Sequence, residues 1–531
     1  DIAYNLSKIE KELTPLELSA LQRIKEALYE EEIGGLSSST SLKWVNNPER
    51  IIWFNDSAGA KSEIEAATNY LGNRFAMSIH VNNKRGKIVF DESYIAMAIG
   101  DYTLSLGSKK NWWGPGWGGS LIQSTNTRPI PSLSFERNFS DPFESKFLSW
   151  MGPWNLSTMI GQMDQGTNFF GMRAGFRPRK NLELGLSTSA LFCGENRSCG
   201  LSGLFETLLD QDITIDVTVP SMQKSGYQLA GIDFRSSHIV RDFPFAAYGQ
   251  FVGEENSDSM RLVGLETWGS ITKSEWLESY RVFVESSSTH CQSYNPKAGC
   301  AYHNPLYPNG YWYKGGNIGH SSDGDSNLLI LGAIFVGENS QLIKSWLSVG
   351  QLNKNSNPLY TLTPKKTDYF NFGLGYEFDL FWFDIPLGSV DVGLGWEKFD
   401  IPLGSFDEEV GWENLNSFGK DSRVYIAWSN GVDFNPKKVR DYSEYPEFLE
   451  ADDDLETISK PLPEQIDEQP SFLALDTNLK IVQVVDLMDQ VINQRVTLLD
   501  DIKDRRVGIQ TLENKSIIDK LDISLPTTVS E

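Results

Sequence analysis

The chain has 531 residues, 71 acidic against 47 basic side chains and a net charge of −24, with 12% aromatics, 45 glycines, four cysteines and five histidines. So acidic a chain suits nucleic acid poorly, because phosphates call for clustered Lys and Arg. No run of eighteen apolar residues occurs, which excludes a transmembrane helix but not a barrel, whose strands cross with about ten alternating residues each.

The chain opens on DIAYNLSKIE, with neither Met nor a signal peptide, as expected of a processed mature form or of one lacking some N-terminal residues. Residues 1–38 read as a helical segment. Thr14 can cap its second helix, Pro15 fits the first turn, Glu17 completes a capping box, and Leu18, Leu21, Ile24 and Leu28 form an apolar stripe that must pack on something.

Alternation takes over from there to residue 434. Strands are predicted near 41–54, 72–82, 87–99, 101–108, 131–137, 146–151, 154–162, 167–176, 180–192, 227–235, 244–253, 261–268, 274–288, 327–336, 341–350, 369–379, 389–398 and 421–430, eighteen in all. In KNLELGLSTS, Leu182, Leu184 and Leu186 alternate with Glu183, Gly185 and Ser187. Phe370, Phe372, Leu374, Tyr376 and Phe378 do the same in YFNFGLGYEF, and Val390, Val392, Leu394 and Trp396 in SVDVGLGWE. A soluble antiparallel sandwich would show the same pattern. The even strand number and the connections argue against it. Short turns (177–179, 236–243, 269–273, 337–340) alternate with long loops (193–226, 289–326, 351–368, 399–420), as outer-membrane barrels require. The expected fold is an all-β transmembrane barrel of about 18 antiparallel strands, with periplasmic N-terminal helices and a helical C-terminal extension. The segment FDIPLGS, repeated at 383–389 and 399–405, reads as a hairpin duplication without functional meaning.

NWWGPGWGGSLIQSTNTRPIPSL, from Asn111 to Leu133, follows the fourth predicted strand. Strand parity therefore places it at the periplasmic side, folded into the lumen. Trp112, Trp113 and Trp117 are expected to pack as plug core against the N-terminal helices, with sugar stacking as the alternative. Arg128 is expected to pair with a lumenal carboxylate such as Glu183 or Glu266.

The cysteines fall in two close pairs, Cys193 with Cys199 and Cys291 with Cys300. Two local disulfides in an oxidising compartment are the expected reading, since only His290 and His303 lie near enough to suggest metal. After Phe434, residues 435–470 form an acidic linker, with eleven acidic side chains against one Lys between 441 and 468. Residues 471–531 read as a helical extension. There Ile481, Val485, Met488, Ile492, Leu499 and Ile502 form a seam interrupted by Arg495, suited to a coiled coil, to periplasmic or export proteins, or to the N-terminal helices. Both termini are expected in the periplasm.

WWGPGWGGSLIQSTNTRPIPSL, followed by MGPWNLSTMIGQMDQ at 151–165, QLAGIDFR at 228–235 and YGQFVGEE at 248–255, resembles the capsule assembly Wzi family of Gram-negative outer membranes, in order over roughly residues 10–430. The resemblance implies an eighteen-stranded barrel with a periplasmic helical bundle and a closed lumen. It also implies a non-enzymatic lectin that binds capsular or exopolysaccharide and helps attach and organise the capsule. Two departures stand out: the helical segment at the start is shorter than the family's, and about a hundred residues follow the barrel.

For such a lectin the glycan site is expected in the long loop Ala301 to Asp325, AYHNPLYPNGYWYKGGNIGHSSDGD. Tyr302, Tyr307, Tyr311, Trp312 and Tyr313 offer faces for sugar C–H groups, and His303, Lys314, Asn317, His320, Asp323 and Asp325 offer hydrogen bonds. The alternative is that the loop turns inward and buries its aromatics. DGDSN, starting at Asp323, is only a faint likeness of a calcium loop, without the Gly at the sixth position or the Glu at the twelfth. Neither metal nor cofactor is expected. A pore would require an open lumen. Acyl hydrolysis is disfavoured by the five scattered histidines and the lack of G-x-S-x-G.

Overall fold

The computed structural model describes residues between Gly35 and Asp433, excluding 54–59, 138–141, 195–198, 210–225, 291–300, 401–420 and a few shorter stretches in turns and loops. Residues 1–34 of the expected helical segment, the linker 435–470, the extension 471–531 and the pair Cys291 and Cys300 lie outside the described residues, while 35–38, expected to be helical, are strand because Ser37 and Ser38 already pair with the neighbouring strands.

A single antiparallel sheet closes on itself. Its strands are β1 (Gly35–Val45), β2 (Ser62–Leu71), β3 (Phe75–Lys84), β4 (Lys87–Val89 continued by Tyr94–Ile99), β5 (Tyr102–Ser108), β6 (Pro131–Arg137), β7 (Trp154–Gln162), β8 (Asn168–Arg179) and β9 (Leu182–Phe192). The second half comprises β10 (Gly226–Val240), β11 (Phe243–Glu254), β12 (Ser257–Ser270), β13 (Leu277–Ser288), β14 (Asn327–Gly337), β15 (Leu342–Leu352), β16 (Thr367–Trp382), β17 (Ile385–Asp400) and β18 (Asp421–Asp433). Each strand pairs with its sequence neighbour, and β18 returns to β1 with Leu42 opposite Trp428. Closure leaves no edge, so every strand finds a ladder partner within the wall.

The barrel is inside-out relative to a soluble protein. On β16 the outward Phe372 and Leu374 are each 40% exposed, whereas the inward Asn371 is 1% exposed. Leu186, Leu394, Trp396, Leu329 and Leu331 point outward in the same way. An apolar exterior around a polar lumen is the arrangement that hydrocarbon demands. Among the described residues no helix is long and apolar enough to cross a membrane.

The lumen holds charge in compensated pairs that tie strands together. Lys43 bonds Glu65, Arg173 bonds Asp233, Arg177 bonds Glu183, and Lys344 reaches both Glu377 and Asp391. Arg423 meets Glu49, which also accepts the Trp346 indole N–H at 3.2 Å. Each pair offsets the large cost of an isolated charge in a water-poor interior.

The strand total agrees with expectation, but two assignments behind it do not. Ser62–Leu71 is a strand that the sequence reading omitted, and residues 146–151 form a turn ending in a short 3-10 helix, Ser149–Met151, where a strand was expected. The errors cancel in the count. Between them parity is reversed, so the Trp-rich segment follows the fifth strand, not the fourth. It therefore lies at the end of the barrel where β9, β13, β15 and β17 finish and β10, β14, β16 and β18 begin, the end of the long connections. At the other end run the tight turns 72–74, 100–101, 180–181, 241–242 and 383–384.

Among the described residues one α-helix, α1 (Gly200–Leu209), follows the Cys193–Cys199 disulfide in the loop after β9. That disulfide is the first of the two pairs expected.

Candidate functional site

Residues 111–124 enter the long-loop mouth and are buried throughout. Three acceptors on the wall seat them. Glu285 on β13 accepts from the backbone N–H groups of Trp117 and Gly118 at 2.8 and 3.0 Å, and from the Tyr248 hydroxyl at 3.0 Å. Glu266 on β12 accepts the Trp117 indole N–H at 3.1 Å and pairs with Arg235 and Arg281. Gln250 on β11 accepts from the Leu121 N–H and donates to the Trp113 carbonyl, both at 2.7 Å. Trp117 stacks on Phe283 with centroids 5.4 Å apart, and the Arg281 guanidinium lies over the Trp117 ring, 5.4 Å from its centroid. A buried backbone segment without secondary structure must find such partners or lose a few kcal/mol for each orphaned group, about 1–3 by mutational measure.

The glycines answer to packing. A Cβ on Gly119 would stand 2.3 Å from the His320 imidazole, so only glycine lets this strand of plug meet the loop that covers it.

That covering loop is the tyrosine-rich one, and it folds inward. Tyr302 and Tyr311 are 0% exposed and stack at 5.8 Å. The Tyr302 N–H donates to Glu254, and the Tyr311 hydroxyl donates to Ser189 at 2.7 Å. Ser124 N–H bonds the Ile318 carbonyl at 2.9 Å, Asn126 donates to the Asn317 carbonyl at 2.9 Å, and Thr127 donates to the Tyr313 carbonyl. The two segments thus form one plug, with its main core running from Trp53 to Trp346.

The expected site residues therefore divide. Tyr302, Tyr307, Tyr311, Asn317, His320, Asp323 and Asp325 are buried plug members, which corrects the reading of the whole cluster as faces offered to sugar. Asp323 accepts from Asn317, from the Gly324 N–H and from both the N–H and hydroxyl of Thr361. Asp325 accepts from Asn355 through backbone and side chain and sits 2.8 Å from the His290 Nδ1. These carboxylates are committed to tying loops 301–326 and 353–366, and no metal-binding group occurs among the described residues. Burial lowers the His303 and His320 imidazoles to about 4, so both are neutral at pH 7.

What remains near solvent is a compact rim. Lys314, 38% exposed in its side chain, bonds Asp164, 48% exposed, at 2.5 Å. Arg128, also 38% exposed, makes a two-pronged pair with Asp91 at 2.7 Å through each arm, in place of the expected Glu183 or Glu266. The half-buried Trp312 lies against His303 with centroids 4.4 Å apart, and Lys314 sits 5.5 Å from the Tyr313 ring centre. Asp164 holds the Lys314 ammonium above the ordinary lysine range, and burial raises the Tyr313 phenol. A flat indole edge beside alternating cations and carboxylates can hold a polar ring with both apolar C–H faces and hydroxyls.

Trp112, Trp113 and Trp117 are buried on the barrel wall and within the plug, and the N-terminal helices expected to receive them lie outside the described residues. The Trp112 indole N–H donates to the Gly116 carbonyl at 3.1 Å. Gln250, Glu254, Glu266 and Glu285 were not anticipated as the seat, although Gln250 and Glu254 lie within the quoted YGQFVGEE. Asp91 and Asp164, lone acids in loops, carry no signal of their own.

Comparison with known proteins adds a family. The profile of "Capsule assembly protein Wzi" matches residues 42–405. An uncharacterized 55.8 kDa protein in the cps region of Klebsiella pneumoniae is 29% identical over 248 residues, covering 43% of this chain and 48% of its own, so the chain spans about half the length of that curated relative. The solved structure of Wzi from Escherichia coli, described as an outer membrane protein involved in group 1 capsule assembly and a carbohydrate-binding β-barrel, superposes with a TM-score of 0.63 at 21% identity, over 82% of this chain and 92% of that one.

Proposed function

The chain belongs to the Wzi family of capsule assembly proteins, and from that premise we propose that it is an outer-membrane lectin that holds capsular or exopolysaccharide at the cell surface without chemical turnover. In this reading the long-loop end faces outward and the tight-turn end faces the periplasm, together with both chain termini. Lipid surrounds the apolar wall. The residues beyond the barrel are available to periplasmic or export proteins.

The observation that carries the reading is that the plug is buried almost throughout and leaves only a small rim near solvent, around Trp312, Lys314 and Arg128. The buried aromatics spend their faces on closing the mouth, which opposes a role as a solute channel. This rim, with the half-buried Trp312 beside the buried Tyr313 and with Lys314 and Arg128 reaching solvent, then stands on a rigid support. A preorganised rim loses little conformational freedom on taking up a chain of sugars. Its two cations offer contacts to an acidic polysaccharide despite the net charge of −24, and its two carboxylates accept hydroxyl groups. Repeated weak contacts along a polymer sum to strong retention by avidity.

The cellular test compares strains carrying wild-type protein and a Trp312→Ala/Lys314→Ala variant at equal barrel abundance. The reading expects polysaccharide to move from the cell-bound to the shed fraction in the variant, with the total unchanged. Unchanged retention would contradict it.

A further inference from the structure

The connection between β6 and β7 leaves the barrel at the tight-turn end but does not extend away from it. Phe143 stacks on Trp154, with centroids 4.4 Å apart and planes 6° from parallel, and Trp150 meets Phe176 edge-on at 6.5 Å. Trp154 and Phe176 face each other across the β7–β8 ladder on the outer side of the wall. The connection therefore folds back over the barrel's outside.

Its conformation is fixed. Ser149 and Leu148 N–H groups bond the Ser145 carbonyl at 2.8 and 3.0 Å, forming a tight turn. Gly152, at φ +68, presses on the Arg177 carbonyl so closely that a Cβ would stand 1.9 Å from it, while the Arg177 N–H bonds the Pro153 carbonyl at 2.9 Å. A side chain at 152 would displace the whole connection.

This rigid turn presents large apolar groups outward. Phe147 is 83% exposed and Trp150 62%. Patches of this kind on a fixed surface mark an interaction site. The patch continues an aromatic band on the outer wall, where Tyr102 stacks on Phe135 at 4.8 Å and Arg137 lies 4.2 Å from the Trp154 ring centre. Trp and Tyr at the end of an apolar wall occupy headgroup level, where an amphipathic ring satisfies both media.

We propose that residues 142–152 form a lipid-binding anchor, with Phe147 and Trp150 inserted at the headgroup–acyl boundary of the leaflet next to the tight-turn end. The continuity of the patch with the lipid-facing wall selects lipid as the occupant, rather than a second copy or another protein. The exposed Glu144, Ser145 and Lys146 are left to the aqueous side. The anchor sets how deep the barrel sits.

The test places a nitroxide in the full chain at Phe147→Cys, Trp150→Cys, Glu144→Cys and Lys146→Cys, one at a time, in phosphatidylethanolamine/phosphatidylglycerol vesicles. Wild-type protein carried through the same labelling supplies the background, and heat-modified gel mobility confirms folding. Collision rates with lipid-soluble oxygen and with a water-soluble nickel chelate are then compared. The anchor requires oxygen to dominate at 147 and 150 and the chelate to dominate at 144 and 146. Chelate dominance at all four positions would overturn it. So would protection of 147 and 150 from both reagents, which would mean that protein covers the patch.

Discussion

The Tyr302 hydroxyl donates to the Leu121 carbonyl at 2.8 Å and accepts the His320 N–H at 3.1 Å, so one phenol ties the Trp-rich segment to the loop above it. Tyr302→Phe removes that joint while keeping the ring, and leaves a buried carbonyl and a buried N–H unsatisfied. The expected cost is about 1–3 kcal/mol in local stability. Hydrogen exchange should rise at 119–124 and 316–322 while the barrel strands keep their protection.

Acid should loosen the same joint. His303 and His320 are lowered to about 4 from an ordinary 6.5, so each is buried in its neutral form. Their contribution is fully present above 6.5 and is lost as pH falls toward 4, up to roughly 3 kcal/mol for each. Asp323, held above the ordinary carboxylate range by burial, acts in the opposite sense and softens the transition. Exchange protection of loop 301–326 should fall between pH 6.5 and 4, and His320→Gln should flatten the part due to that residue.

Glu266 faces two guanidinium groups and an indole, all within 3.5 Å. Glu266→Ala strands Arg235 and Arg281 without their carboxylate in a buried site, and a loss of about 3–5 kcal/mol is expected. The temperature at which the folded band gives way to the unfolded one on a gel should drop clearly. Glu266→Gln should lie between the two.

The filled mouth predicts electrical silence. Wild-type protein in a planar bilayer should show no stepwise conductance, whereas Gly119→Val, which drives a methyl into His320, should give transient openings. Regular large steps from the wild type would restore the pore reading.

Much of this molecule is legible in its sequence, because a barrel wall in lipid writes its faces plainly. Phe372, Leu374 and Tyr376 alternate with Asn371, Gly373 and Glu377, and the structure sends the first set to the exterior and the second to the lumen. β2 was missed because the rule is weakest there. Its lumenal Glu63 and Glu65 are 2% and 3% exposed, and they alternate with outward Ser62, Ile64, Ala66 and Thr68, of which only Ile64 is strongly apolar. Phe147 and Trp150 produced the opposite error, since aromatics that face outward from a folded-back turn imitate a strand. The omission of β2 put the Trp-rich segment at the wrong end and hid its union with the tyrosine loop, and the false strand at 146–151 restored the parity after it. The seat was illegible for another reason. Glu285 and Gln250 bind backbone atoms of a segment more than a hundred residues away, and nothing local marks them for it.

The most direct test of the central claim is binding of purified, detergent-solubilised protein to its own organism's capsular polysaccharide on a glycan-coated surface, with Trp312→Ala/Lys314→Ala and Tyr302→Phe alongside. The account predicts binding by the wild type, a loss of about tenfold or more in the rim variant, equivalent to about 1.4 kcal/mol, and a smaller change in Tyr302→Phe, whose rim is intact. No binding by the wild type, or equal binding by the rim variant with its barrel folded, would contradict it.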